Sequence, residues 1–173
     1  MASTVRSGYS ALSRGRYSVA GEQYFLTFNL QRPQRGLDGP LLLAHLRAEL
    51  VTGEAGGCWK VRTGVIMPDH VHLLVQLGHR SSLAESVRQY KGRLAPALHH
   101  RGLNWQHSFF DHRLRLGEDA LPVFLYIFLN PYRAGLVRSG DNWPGYFCAS
   151  DDWEWFGRMT DNGTPFPEWL TDR

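Results

Sequence analysis

No apolar stretch in the sequence approaches the ~20 residues that cross a bilayer, so a membrane partner is not expected. Cysteine is scarce: Cys58 and Cys148 form no metal-ligand spacing and allow one disulfide at most, and reduced thiols in the cytoplasm are the simpler expectation. No Gly-x-x-x-x-Gly-Lys-Ser/Thr loop is present, which argues against the use of a nucleoside triphosphate. Acid is absent from residues 1–17, whereas Arg6, Arg14 and Arg16 are there. Such a start is compatible with a solvated tail, a phosphate-contacting arm or a weak organellar targeting peptide; it has no apolar core of the kind secretion needs. Repeats and low-complexity tracts are also missing.

What remains is ordinary globular material. The 173 residues are 43% hydrophobic and 20% charged, enough for one domain with a substantial core. Lys and Arg total 19 against 16 acidic residues, a net charge of +3, which permits a nucleic-acid partner without requiring one.

Gln23–Leu30 is dense in aromatic and β-compatible residues and reads as a first strand, followed by a loop over 31–40 with Pro33, Gly36, Gly39 and Pro40. Leu42, Leu46 and Leu50 recur every four residues in a helix over 41–51 that Gly53, Gly56 and Gly57 end. Residues 59–67 and 70–77 read as a hairpin about Pro68-Asp69. A helix over about 82–100 follows, with a Ser82/Glu85 capping box and a stripe of Leu83, Val87, Tyr90, Leu94 and Leu98. A fourth strand is expected over 105–116. A last helix is expected from Glu118 to Asn130-Pro131, with Pro122 tolerated in its first turns. The order is β-α-β-β-α-β plus a helix, an α+β fold of the ferredoxin-like kind: two helices on one face of a four-stranded antiparallel sheet. Residues 1–150 form the domain in this reading. Residues 151–173 form an aromatic-rich tail, read as irregular chain packed on it and partly covering the active cleft.

Within the hairpin, Met67-Pro68-Asp69-His70-Val71-His72 places two histidines at i and i+2 of a strand, on one side of it, where they can share a metal ion. Two imidazoles alone are also compatible with no catalytic role. Tyr126 and Asn130 lie one helical turn apart, beyond the edge of the stripe set by Leu121, Phe124, Leu125, Phe128 and Leu129. Tyr90, by contrast, lies inside an apolar stripe and reads as core.

Gly64–Leu74, Trp105-Gln106 and the run Tyr126-Ile-Phe-Leu-Asn-Pro-Tyr-Arg-Ala-Gly-Leu-Val137, with the openings Arg14-Gly15-Arg16-Tyr17 and Tyr24–Phe28, resemble the REP-associated tyrosine transposases of the HUH endonuclease superfamily. The resemblance spans about residues 14–145. It departs after the Asn-Pro motif, where relatives often carry Trp-Ser-Ser and this chain has Trp143-Pro144-Gly145-Tyr146-Phe147.

The resemblance implies that His70 and His72 are the metal-binding histidines, that Tyr126 is the nucleophile and that Asn130 is the third metal ligand. The activity it implies is a metal-dependent single-strand DNA endonuclease and strand transferase in a bacterial cytoplasm, cutting near hairpins through a 5′-phosphotyrosine. Mg²⁺ or Mn²⁺ suits such a site, as Lewis acid for the phosphate oxygens. A phenol, with an ordinary pKa near 10, needs such help. Arg14, Arg16, Arg88, Lys91, Arg93, Arg113, Arg115 and Arg133 are the candidate DNA contacts. His99, His100, His107 and His112 read as structural or surface groups, with an approach of His112 to the site from the fourth strand as the alternative. The competing readings are a hairpin-DNA-binding module without turnover and a metal-dependent phosphoesterase in which Tyr126 is structural. The short link over 117–120 favours a site completed within a monomer, although a dimer with exchanged tyrosine helices is an alternative.

Overall fold

Alternation governs β1 (Gln23–Asn29): Tyr24, Leu26 and Phe28 are buried on one side, while Phe25, Thr27 and Asn29 are half-buried on the other. The computed structural model describes residues 18–159. It pairs β1 with β3 (His70–Leu77) and β3 with β2 (Trp59–Ile66), both antiparallel. Two short strands, β4 (Phe110–Arg113) beside β1 and β5 (Tyr146–Cys148) beside β2, complete an antiparallel sheet of order β4-β1-β3-β2-β5.

Each face of the sheet carries its own core. Helices α1 (Pro40–Ala55) and α2 (Leu83–His99) bury Leu42, Leu46, Leu50, Val87, Leu94 and Leu98 against Leu26, Phe28, Val71 and Leu73. Tyr90 is fully buried there, as its place in the stripe implies. The opposite face holds α3 (Leu121–Arg133) and α4 (Ser150–Phe156), whose Phe124, Ile127, Phe128 and Phe156 pack on Val65 and Leu74.

The ferredoxin-like order therefore stands, with five strands in place of four. β5 forms from part of the Gly/Pro/aromatic stretch that reads as irregular in sequence. Gly64 makes room for it: a Cβ there would lie 2.5 Å from the Phe147 ring and 2.6 Å from Leu73. The fourth strand is shorter than 105–116. Trp105 keeps one isolated bridge to Leu30, and Lys91 Nζ then donates to the carbonyls of Gln106, His107 and Ser108, occupying groups that a neighbouring strand would otherwise use.

The third helix begins at Leu121, whose N–H is taken by Asp119 Oδ1 at 2.9 Å, and runs past Asn130 to Arg133. Pro131 fits because it lies in the last turn and is buried, so its missing N–H costs one intrahelical bond. At α2 the cap is half of the expected box: Ser82 Oγ accepts the Glu85 N–H, whereas the Glu85 carboxylate pairs with Arg88.

A bulge shifts the β2–β3 register between Val61 and Thr63. The extra residue, Arg62, reaches toward the α3 face, lies 5.1 Å from the Phe124 ring centre and forms a two-point ion pair with Asp152 of α4. Among the described residues no helix is long and apolar enough to cross a membrane.

Candidate active site

Strand pairing sets Thr27 opposite His72 and Asn29 opposite His70. The same alternation that sends Val71 and Leu73 into the α1/α2 core turns the two histidines to the α3 side. Their ring centres are 4.6 Å apart. Helix α3 brings the Tyr126 ring to 5.1 Å from that of His72, and Phe25 packs against both, stacked on His72 at 5.4 Å and edge-on to Tyr126 at 5.7 Å. Tyr126 remains 36% exposed.

Each imidazole is oriented through its Nδ1: Thr27 Oγ1 lies 2.8 Å from that of His72 and Asp69 Oδ1 lies 2.8 Å from that of His70. The Asp69 carboxylate is an acceptor, so the proton between them sits on Nδ1 of His70 and Nε2 faces away from Asp69. Burial, with a smaller push from His70, lowers the pKa of His72 to about 3, so that ring is neutral over the ordinary pH range.

These groups line one open cleft of about 600 Å³, together with Asn29, Gln106 and, from the loop after β1, Arg32, Gln34 and Arg35. Among the described residues two guanidiniums, of Arg32 and Arg35, stand there against the one carboxylate of Asp69, a balance that suits an anionic ligand. Gln34 fixes this loop by donating to Gly102 O and accepting the Asn104 N–H.

Of the residues singled out in sequence, His70, His72 and Tyr126 meet in this cleft, and the Arg133 guanidinium lies 5.8 Å from the Tyr126 ring centre. Asn130 is half-buried one turn along α3 from Tyr126 and does not line the cleft. Among the described residues no group of three or more His, Cys, Asp or Glu side chains is placed to hold a metal ion.

Several expected DNA contacts are placed elsewhere. Arg93 is paired with Glu49 of α1, Arg88 with Glu85, and Lys91 holds the chain after Trp105. Arg113 and Arg115 are exposed on and just after β4 and do not line the cleft. His112 is an exposed partner of Glu118. Arg14 and Arg16 lie outside the described residues, as does the chain after Met159.

Through Asp152 and Phe156, α4 packs against Arg62, Phe124 and Phe128, at the far side of α3 from the cleft. The described part of the tail therefore does not cover the cleft. Sequence reasoning did not name Thr27, Asp69, Arg32, Arg35 or Gln106 as cleft residues. Asp69, beside the histidine pair, and Gln106, within the Trp105-Gln106 motif, carried a signal; the others did not.

The IS200-like transposase family has a sequence model that matches residues 52–115, a span that includes both histidines and stops before Tyr126. A REP-associated tyrosine transposase of Escherichia coli strain K12 is 25% identical over 130 residues, 75% of this chain and 78% of its own length. In fold, the chain resembles a solved REP-associated tyrosine transposase bound to a REP hairpin, with a TM-score of 0.64 and 24% identity, covering 76% of this chain and 79% of that one.

Proposed function

We propose that this transposase-like chain is a metal-dependent single-strand DNA endonuclease and strand transferase that acts beside hairpins and uses Tyr126 as its nucleophile. The observation that carries this reading is the convergence of His70, His72 and Tyr126 on one cleft lined by Arg32 and Arg35. The likeness to REP-associated transposases in sequence, and in fold to one bound to a REP hairpin, supports it.

The residues present fit a divalent ion. Each ring is anchored at Nδ1, which leaves Nε2 available, and the His72 imidazole is neutral. His70 and His72 would hold Mg²⁺ or Mn²⁺, and Asn130 would join them only by turning its amide into the cleft, which it does not line here; the bound ion would supply Lewis-acid stabilisation of phosphate charge. Arg32 and Arg35 would draw the strand into the cleft, and Arg133 would meet a phosphate beside Tyr126. Tyr126 Oη would attack phosphorus, its proton passing to solvent. The P–O3′ bond would break, the departing 3′ oxygen would take up a proton, and a 5′-phosphotyrosine would remain. Attack of a 3′-OH on that ester would reverse the bond changes and join strands, with no external energy source.

Peptide mass mapping after incubation with Mn²⁺ and a hairpin oligonucleotide bearing single-stranded flanks tests the reading. A nucleotide on the peptide containing Tyr126 is expected. Cleavage with the nucleotide on another residue would refute the assignment.

A further inference from the structure

A second depression lies on the α3 face, beyond the cleft. Phe128, Tyr132, Trp143, Tyr146 and Trp153 supply its rings and Asn142 stands exposed at its mouth, around about 290 Å³. That is the low end of small-ligand cavities and suits one planar ring system. The walls are held in place: Tyr132 donates to Asp141 O, Trp143 Nε1 donates to Ile66 O, and Phe128 meets Tyr146 edge to face at 5.0 Å. Trp153 packs against Tyr146 and Phe156 yet stays 43% exposed, so part of it remains open to a ligand. Among the described residues no cation lines the pocket, which favours an uncharged group over a phosphate. Cys148 also lines it, as a thiol that burial keeps protonated and neutral.

Sheet register ties this pocket to the cleft. His72 is opposite Val65, and Val65 is opposite Tyr146, so Tyr146 stands on the row of His72 two strands away, roughly 10 Å. Helix α3 is the shared wall. It presents Tyr126 to the cleft, and its last turn places Arg133 near the Tyr126 ring next to Tyr132, a wall of the pocket. A single strand passing Tyr126 and crossing that turn meets a cation for its phosphate and then a slot lined by rings. Unpaired bases stack on such rings irrespective of sequence, whereas an amide at the rim can distinguish base edges.

Resting on the reading of the cleft as a single-strand DNA site, we propose that this pocket takes one unpaired nucleobase of the bound strand, stacked on Trp153 and met at its edge by Asn142.

The test uses a fluorescently labelled hairpin oligonucleotide with single-stranded flanks, scanned with one abasic site at a time. Binding is measured by anisotropy for the wild-type protein and for Trp153→Ala and Asn142→Ala, both at exposed positions. One flank position is expected to cost the wild type about tenfold when abasic. In Trp153→Ala the intact strand binds about tenfold more weakly, and the abasic site at that position costs nothing further. Asn142→Ala is expected to flatten the preference among the four bases there.

Abasic penalties equal in Trp153→Ala and wild type at every position, with the covalent adduct at Tyr126 still forming, would overturn the pocket and leave the cleft reading intact. A wild-type preference among bases in Asn142→Ala would overturn the edge contact. Failure of the wild-type protein to bind or cleave the strand would overturn both.

Discussion

Thr27 Oγ1 lies 2.8 Å from Nδ1 of His72, and the two residues face each other directly across the β1–β3 ladder. The contact fixes the ring of a buried, neutral imidazole through backbone geometry that cannot slip without exposing a core face. Thr27→Val keeps the shape and removes the hydrogen bond. Its expected effect is a loss of about 10- to 100-fold in Mn²⁺ affinity, as is usual when an outer partner of a metal-bound histidine is removed. Thr27→Ser should restore binding, and titration calorimetry reads both. Wild-type affinity in Thr27→Val would separate this contact from the metal.

The charges around the cleft make a different kind of prediction. Arg32 lines it, whereas Arg93 is paired with Glu49 across the α1–α2 face. Arg32→Ala should weaken single-strand DNA binding and reduce the dependence of log K on log salt by about 0.7, the value for one phosphate contact on a single strand. Arg93→Ala should leave that slope unchanged. The reverse outcome would place the strand on α2.

Phe110 belongs to the same row of the sheet as Thr27 and His72, at its outer strand, and is 56% exposed beside Phe25 at 6.2 Å. An exposed ring at that position suits stacking on a base near the cut. Phe110→Ala should cost about 1–3 kcal/mol of strand affinity without lowering the melting temperature. A fall in melting temperature with unchanged affinity would mark the ring as structural.

Arg62 and Asp152 join the bulge of β2 to α4, with their side chains 21% and 10% exposed. Asp152→Ala leaves a half-buried guanidinium over Phe124 without its partner, and urea unfolding should show a loss of about 3 kcal/mol. Thr27 and His72 take no part in this pair, so Mn²⁺ affinity should persist below the transition. An unchanged unfolding midpoint would show that solvent compensates the lost pair.

Local pattern reveals residues whose role depends on their own strand or helix. His70 and His72 declare themselves by spacing, Tyr126 by lying off its apolar stripe, and Tyr90 by lying inside one. Thr27, Arg32 and Arg35 are silent in sequence because they reach the cleft through strand register and loop course, which long-range pairing decides. The surroundings of Lys91 are hidden for a related reason: a cation at helix spacing does not disclose the three carbonyls waiting beside it. β5 is three residues in an aromatic stretch and becomes a strand only because the edge of β2, opened by Gly64, is there to receive it.

The central claim is that Tyr126 takes the strand while His70 and His72 face it from the sheet. Its most direct measurement is a denaturing gel of a 5′-labelled and a 3′-labelled hairpin oligonucleotide incubated with Mn²⁺ and the wild-type protein, Tyr126→Phe or Tyr90→Phe. The account predicts a denaturant-resistant adduct that carries the 3′ label alone, is absent from Tyr126→Phe and persists in Tyr90→Phe, whose hydroxyl is buried beneath the opposite face of the sheet. An adduct that survives Tyr126→Phe, or one that carries the 5′ label, would contradict it.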